Sequence, residues 1–173
     1  MRRGARLPDV TFKTRVVDQW VDKTTSDYFS EKRVILFGLP GAFTPTCSNF
    51  QLPDFERLHP EFLATGIDAV YCMSVNDHFV MDAWRVDQEL QNVEVIADGS
   101  GTFTSEIGML VKKDNLGFGN RSWRYALVAN DGVVEIFFPE ASISDNRLDD
   151  PYEISSPQNV LQWCRNHSTI GVE

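Results

Sequence analysis

The stretch that organises this chain is RVILFGLPGAFTPTCS, residues 33–48. Its first part, residues 33–39, is almost entirely apolar, which is typical of a central strand covered on both faces. A proline-containing turn follows, and Cys47 stands just before a segment with helical apolar spacing. The stretch therefore predicts a strand, a turn and a helix. Because functional sites in α/β sheets gather at the carboxyl ends of strands, Cys47 is the first candidate for a reactive residue.

Strand and helix patterns alternate on both sides of this stretch. Upstream, residues 10–22 predict a hairpin and residues 24–29 a capped helical turn. Downstream, the patterns predict strands at 68–75 and 93–98, a short helix, a hairpin at 125–138, and helices over about 52–66, 76–90 and 155–167. This order predicts an α/β fold with a mixed central sheet, formed by one domain over residues 1–173.

Two details of the predicted helices can be compared with a structure. Pro53 and Pro60 interrupt the helix after Cys47, so we expect a kink or a break there. In the next helix, we expect one apolar face to be buried, and that face consists of Phe79, Ala83, Val86 and Leu90.

Composition and charge exclude several classes of function. The 173 residues include 25 acidic and 16 basic ones, giving a net charge of −9. Such a surface repels phosphate backbones, so we expect no nucleic-acid partner. No apolar run approaches the ~20 residues that span a bilayer, and the basic N-terminus lacks the apolar region of a secretory signal. We therefore expect no membrane association and a cytoplasmic location.

The three cysteines are Cys47, Cys72 and Cys164, and they form neither a C-x-x-C pair nor a zinc-binding spacing with the three histidines. We expect no metal site. Cys72 lies within a predicted strand and Cys164 on the apolar face of the last helix, so both are expected to be buried and inert. Cys47 differs because a helix N-terminus, and any cation nearby, favours the thiolate. Thr44 can donate a hydrogen bond into the same pocket.

At this point the residues resemble a known family. The motif P-x-x-x-T-x-x-C, formed by Pro40, Thr44 and Cys47, resembles the peroxiredoxin signature. Its form here is similar to that of the glutathione- or glutaredoxin-dependent branch of the peroxiredoxin-five type, and especially to the peroxidase half of bacterial peroxiredoxin–glutaredoxin fusions. Further stretches that carry the resemblance are SVNDHFVMDAW (74–84), IADGSGTFT (96–104) and LGFGNRSWRYALV (116–128).

The resemblance implies a thioredoxin-like fold, with an N-terminal hairpin and helices flanking the mixed sheet. It also implies roles for the motif: Cys47 as the peroxidatic nucleophile, Thr44 orienting the peroxide and Pro40 shielding the pocket. The cation that holds the thiolate would be Arg124, because the family's arginine directly precedes an aromatic residue and a strand. Arg121 is the competing candidate.

The implied substrate pocket adds Phe43, Phe118 and Arg121. The implied activity is that of a thiol peroxidase that reduces hydrogen peroxide and alkyl hydroperoxides through a cysteine sulfenic acid. The resemblance implies no cofactor, with glutathione as reducing co-substrate and glutaredoxin as partner; thioredoxin is the alternative reductant.

The thiol that would resolve the sulfenic acid is expected to come from outside the chain. Several relatives carry a second cysteine in the loops after the last hairpin, but residues 139–156 contain none here. Cys72 as an internal resolving thiol would require sizeable movement. The family commonly forms dimers, so a homodimer is expected, with Phe43, Phe79 and Trp84 as patch residues unless they pack in the core.

Other functions are open from sequence alone. A cysteine hydrolase would need a histidine base, and His59, His78 and His167 are the candidates, although no motif directs them to the thiol. A peroxide-sensing module without turnover would use the same chemistry. The acidic residues, including Asp149 and Asp150, are interpreted as solvated surface rather than as metal ligands.

Overall fold

The computed structural model describes residues 1–171. The strands are β1 (Thr11–Val16), β2 (Gln19–Thr24), β3 (Arg33–Gly38), β4 (Ala69–Ser74), β5 (Glu94–Ala97), β6 (Leu110–Lys112), β7 (Asn120–Ser122), β8 (Tyr125–Asn130) and β9 (Val133–Pro139). The helices are α1 (Thr25–Phe29), α2 (Leu52–Leu63), α3 (His78–Asp87), α4 (Thr102–Glu106) and α5 (Pro157–Asn166). A π-helical turn, Cys47–Gln51, precedes α2, and a 3-10 turn, Asp114–Leu116, lies between β6 and β7.

A five-stranded mixed sheet, in the order β5-β4-β3-β8-β9, forms the centre of the fold. The strand predicted from residues 33–39 is its middle strand, β3, parallel to β4 and antiparallel to β8. Every residue of β3 is buried, as a strand covered on both faces requires. Ile35 and Phe37 point into one core, whereas Val34 and Leu36 point into the other. The predicted mixed sheet is thus confirmed.

Each face of the sheet has its own apolar core. Helices α2, α3 and α5 cover one face, where the rings of Phe37 and Phe55 stack with centroids 3.9 Å apart. Elements β1, α1 and α4 contribute to the core on the other face, where Phe12 meets Tyr28 edge to face at 5.8 Å. Truncating a ring such as Phe55 to alanine would cost about 3–5 kcal/mol, because a buried cavity would remain.

Local sequence signals begin and end the elements as predicted. Thr24 caps α1 through a reciprocal capping box with Asp27. Ser156 caps α5 by accepting the Asn159 N–H, and Pro157 occupies the first helical turn. The hairpins β1–β2 and β8–β9 are both present. The second turns at Asp131 and Gly132, whose φ angles of 49° and 75° suit a two-residue hairpin loop.

The predicted break in the helix after Cys47 was wrong at Pro60, because α2 continues through that residue. Pro60 lies on the exposed side of α2, where water can solvate the carbonyl that proline leaves unpaired. The irregularity falls earlier, in the π-turn, where the Leu52 N–H bonds the Cys47 carbonyl. Pro53 follows directly and has no N–H to offer the preceding turn, which is a local cause of that irregular bonding.

The predicted buried face of α3 was wrong for Phe79, Ala83 and Val86, which are exposed, and confirmed for Leu90, which is buried. Phe79 and Val86 are 57% and 60% exposed, whereas Met81 and Trp84 are buried. The helix carries two apolar stripes, and the stripe with the larger aromatic packs into the core. Its indole N–H also donates to Ser48 Oγ at 3.0 Å, which ties α3 to the start of the helical segment at Cys47. The β6–β7 ribbon was not predicted, because strands of three residues give no periodic signal.

Candidate active site

Cys47 lies at the start of the helical segment that follows the central strand. A helical segment begins at Pro45, seven residues after the end of β3, and places Cys47 in its first turn with 0% exposure. The connecting loop is anchored to the next strand: the Ala42 N–H donates to Asn76 Oδ1 at 3.0 Å, and Ser74 Oγ donates to the same oxygen at 2.6 Å. A helix N-terminus with a fixed approach is a favourable position for an anionic sulfur.

The guanidinium of Arg124 contacts the Cys47 sulfur. Arg124 lies directly before β8 and is 2% exposed, and its Nη1 donates to Cys47 Sγ at 3.4 Å. The same Nη1 also donates to Gln51 Oε1, one π-turn after the cysteine. On the other side, Nη2 donates to both carboxylate oxygens of Asp150, at 2.6 and 2.7 Å. A buried cation is thus held between a thiol and a carboxylate.

Electrostatics keep Arg124 charged despite its burial. Burial alone opposes the charged form, but the neighbouring Cys47 and Asp150 outweigh it and raise the pKa of Arg124 above its ordinary value. The guanidinium therefore stays a permanent cation beside the sulfur. A cation within hydrogen-bond reach favours the thiolate, which is the nucleophilic form of cysteine.

Thr44 and Pro40 line the loop in front of Cys47. The Thr44 hydroxyl donates to the Gly41 carbonyl at 2.7 Å, inside the loop, and the Ser48 N–H closes the turn onto the Thr44 carbonyl. Pro40 is buried, and its carbonyl accepts a hydrogen bond from Arg121 Nη1 at 3.2 Å. The structure thus brings Thr44 and Pro40 into the loop of the cysteine, with the threonine hydroxyl held against backbone.

Arg121 supports this loop without a described contact to the sulfur. Its Nε donates to the Phe118 carbonyl at 3.2 Å, and its guanidinium lies 5.2 Å from the centroid of the Phe118 ring. Glycine at position 41 leaves the space that Arg121 occupies, because a Cβ there would collide with Nη1. Burial lowers the pKa of Arg121, and Cys47 opposes that shift. Of the two candidate arginines, Arg124 is the one in contact with Cys47.

Two aromatic residues flank the loop. Phe43 is 51% exposed and adopts a positive φ of 63°, and Phe118 is half-buried under Arg121. Two depressions of about 340 and 400 Å³ flank β1 near His78, and none of the predicted catalytic or pocket residues lines them. The sulfur of the candidate site is therefore fully buried, and Phe43 and Phe118 are the aromatic residues near its loop.

The other two thiols have different surroundings. Burial raises the pKa of Cys72 well above its ordinary value, with a further increase from Cys47 that Arg124 only partly offsets. Burial likewise raises the pKa of Cys164 to about 11. Both are therefore protonated thiols at neutral pH. In the part of the chain that the structure describes, no cluster of three or more histidine, cysteine or acidic side chains is arranged to hold a metal ion.

Comparison with known proteins assigns this arrangement to a family. Residues 2–151 match the Redoxin family. A peroxiredoxin of Rhizobium etli is 62% identical over 174 residues, covering 95% of this chain and 97% of the relative. The chain belongs to the peroxiredoxins. It is accordingly a thiol peroxidase, an oxidoreductase that acts on peroxides.

A hybrid relative and a solved structure are also similar to this peroxiredoxin. The hybrid peroxiredoxin hyPrx5 of Haemophilus influenzae is 49% identical over 160 residues, which cover 92% of this chain and 65% of the relative. The crystal structure of reduced Prx3 from Vibrio vulnificus in complex with hydrogen peroxide matches with a TM-score of 0.87 at 34% identity, covering 96% of this chain and 98% of that one. The resemblance to the family and the predicted thioredoxin-like fold are confirmed.

Sequence reasoning missed two residues that contact Arg124. Gln51 was not singled out, and Asp150, although exposed as predicted, was missed as a partner, because its carboxylate is paired with the buried guanidinium. A signal for Asp150 was available. A predicted buried arginine requires a counter-ion, since an unpaired buried charge is strongly destabilising. The acidic loop at 148–153 was one unassigned source of such a carboxylate.

The histidines do not support the hydrolase alternative. His78 Nδ1 is bonded to Thr14 Oγ1, and His167 stacks on Trp163 with its Nδ1 on the Trp163 carbonyl. His59 is buried on α2. No described hydrogen bond joins a histidine of residues 1–171 to Cys47. Among the same residues, no helix has the length and apolarity needed to cross a bilayer.

Proposed function

We propose that this peroxiredoxin reduces hydrogen peroxide and alkyl hydroperoxides through a sulfenic acid formed on Cys47. The observation that carries the proposal is the 3.4 Å contact between Arg124 Nη1 and Cys47 Sγ at a completely buried site. In such surroundings a fixed donor stabilises a developing charge far more than it would in water.

The proposed reaction is a two-electron oxidation of sulfur. The Cys47 thiolate attacks one peroxide oxygen, so that an S–O bond forms while the O–O bond breaks. The second oxygen leaves as hydroxide or alkoxide and takes up a proton to give water or an alcohol. The peroxide proton stays on the sulfur-bound oxygen, which gives the sulfenic acid. Negative charge moves from sulfur to the leaving oxygen, and Arg124 is placed to follow that movement.

The loop residues take supporting roles in this proposal. Thr44, fixed by its bond to the Gly41 carbonyl, orients the peroxide, and Pro40 shields the sulfur from water. Phe43 and Phe118 form the apolar rim that receives the organic part of an alkyl hydroperoxide, while Arg121 holds the rim to the loop. No cofactor takes part, because the electrons come from a thiol co-substrate.

We propose glutathione as that co-substrate, with glutaredoxin as the protein partner. Glutathione condenses with the sulfenic acid, releasing water and forming a mixed disulfide. A second thiol then reduces this disulfide and regenerates Cys47. The two remaining cysteines support an external thiol, since both are buried and protonated. The similarity to hyPrx5, a longer hybrid protein of which this chain spans 65%, favours glutaredoxin over thioredoxin.

A cytoplasmic location and a homodimer complete the proposal. The exposed rings of Phe43 and Phe79 are the patch residues for the dimer. Trp84 is not one of them, because its side chain is fully buried.

The proposal is tested by peroxide consumption with each reductant supplied in turn. Wild type is expected to turn over with glutathione plus glutaredoxin and to turn over more slowly with thioredoxin plus its reductase. The Cys47→Ser variant should be inactive with both systems. Faster turnover with thioredoxin would identify thioredoxin as the partner instead of glutaredoxin. Peroxidase activity in Cys47→Ser would refute the mechanism itself.

A further inference from the structure

The loop after β9 folds back onto the residue that contacts the active sulfur. Glu140 follows β9 directly, and its carboxylate, in a side chain that is 3% exposed, accepts four hydrogen bonds from this loop. The donors are the N–H groups of Glu153, Ile154 and Ser155 and the hydroxyl of Ser155, at 2.6–3.0 Å. The Glu140 N–H in turn donates to the Arg124 carbonyl at 3.0 Å. The loop is therefore fastened to the backbone of Arg124.

Two side chains of this loop contact the Arg124 guanidinium. Asp150 receives two hydrogen bonds from Nη2, at 2.6 and 2.7 Å, although it is itself 43% exposed. The ring of Tyr152 lies 5.5 Å from Arg124 Cζ and covers the guanidinium. The Tyr152 hydroxyl is buried and has no described hydrogen-bond partner within residues 1–171, so Tyr152 contributes a packing surface.

The two terminal nitrogens of the guanidinium contact different partners. Nη1 faces Cys47 and Gln51, whereas Nη2 faces Asp150. The guanidinium is rigid and planar, so the two hydrogen bonds that hold Nη2 between the Asp150 oxygens also restrict the direction in which Nη1 points. Without Asp150, Nη1 could still donate to Gln51. The guanidinium plane could then rotate around that single hydrogen bond, and Nη1 would move away from the sulfur.

We propose that Asp150 is a positioning residue of the peroxidase reaction, which holds the Arg124 guanidinium so that Nη1 stays on the Cys47 sulfur. This inference rests on the proposed roles of Cys47 and Arg124. Asp150 acts through Arg124 and has no described contact with the sulfur. Asp150 is thus the carboxylate of this loop that acts on the active site, whereas most of the loop's other charged side chains are in solvent.

The neighbouring carboxylate provides a matched control. Asp149 lies on the same loop and carries the same charge, but it pairs with Arg147, whose guanidinium lies near Trp123. Asp150→Asn and Asp149→Asn therefore change net charge and loop composition equally. Only the first removes a contact to Arg124.

The experiment measures the two half-reactions separately in wild type and both variants. Rapid mixing with hydrogen peroxide gives the rate constant of sulfenic acid formation, and adding the reductant afterwards gives the rate of its reduction. In Asp150→Asn, sulfenic acid formation should fall about tenfold, because the donor is misplaced. Its reduction should stay within about twofold of wild type, since that step does not depend on the Nη1 direction. Asp149→Asn should match wild type in both steps.

Conservative variants separate positioning from loop stability. Asp150→Glu keeps the carboxylate and should recover sulfenic acid formation to within about threefold of wild type, and Asp149→Glu should leave it unchanged. These two variants also serve as the test if Asp150→Asn fails to fold in a urea titration. Equal rates of sulfenic acid formation in Asp150→Asn and Asp149→Asn would overturn the inference, and so would a loss of tenfold or more in Asp150→Glu, which keeps the carboxylate. If wild type itself forms no sulfenic acid on Cys47, the proposed function fails first.

Discussion

Cys47 and Cys72 are both completely buried in the same apolar core, yet their surroundings differ in one charged group. Cys72 lies in the middle of β4, opposite Phe37 on the neighbouring strand, and burial raises its pKa. Cys47 lies at a helix start with Arg124 against its sulfur. Burial by itself therefore makes a thiol inert. A buried thiol becomes a nucleophile when a cation is buried beside it. A carboxylate on the other side of the cation then compensates for the burial of its charge.

The largest expected effect comes from exchanging each sulfur for oxygen. Cys47→Ser should lower peroxide turnover by at least about ten-thousandfold, since it removes the nucleophile. Cys72→Ser should leave turnover within about threefold of wild type and instead reduce the free energy of unfolding by about 1–3 kcal/mol, because a hydroxyl replaces an apolar thiol. Peroxide consumption and urea titrations on both variants check this. Comparable losses of activity in the two variants would contradict the distinction.

The next effect comes from the cation that distinguishes the two thiols. Arg124→Met keeps the volume but removes the donor, and sulfenic acid formation should slow by about 10²–10³-fold. Arg121→Met removes a cation that supports the loop without touching sulfur, so a loss of at most about tenfold is expected. Rapid mixing with hydrogen peroxide measures both rate constants. A larger loss in Arg121→Met would transfer the cationic role to that residue.

The smallest effect concerns the pH dependence of stability. The fold raises the pKa of Cys72, of Cys164 to about 11 and of Tyr28 to about 12. Unfolded thiols and phenols lose their protons near pH 8.5 and 10, so above those values the folded state binds more protons than the unfolded one. The stabilisation is therefore complete below about pH 8.5 and is lost as pH rises towards the folded pKa values.

Urea midpoints measured from pH 7 to pH 11 test this sign. The midpoint should be flat to about pH 8.5 and should then fall. Tyr28→Phe removes one of the contributing groups and should show a shallower decline above pH 10. A midpoint that rises over this range would contradict the assignment of the buried thiols as protonated.

The sequence predicted what depends on local pattern. The apolar run at 33–39 became the middle strand, and the cap residues Thr24 and Ser156 begin the helices as expected. The two failures on helices have a common cause. The sequence of α3 contains two apolar stripes, and the segment after Cys47 contains two prolines. Only tertiary packing determines which stripe is buried and which proline disturbs the helix. Trp84 packs inward, and the exposed position of Pro60 makes its missing hydrogen bond tolerable.

The candidate site divides in the same way. Residues within the P-x-x-x-T-x-x-C motif are near one another in sequence, so Cys47, Thr44 and Pro40 could be grouped in advance. Asp150 reaches Arg124 across 26 residues, through a loop that has no periodic pattern of its own. A buried cation calls for a carboxylate, but which carboxylate meets it depends on how this loop folds back onto the end of β9.

The most direct test is to ask which sulfur a single equivalent of hydrogen peroxide oxidises. The reduced protein would be treated at pH 7 in the presence of a sulfenic-acid trap, and its cysteine-containing peptides would be analysed by mass spectrometry. The account predicts the trapped adduct on Cys47, with Cys72 and Cys164 recovered as free thiols. An adduct on Cys72 or Cys164, or a Cys47 left unmodified while peroxide is consumed, would contradict it.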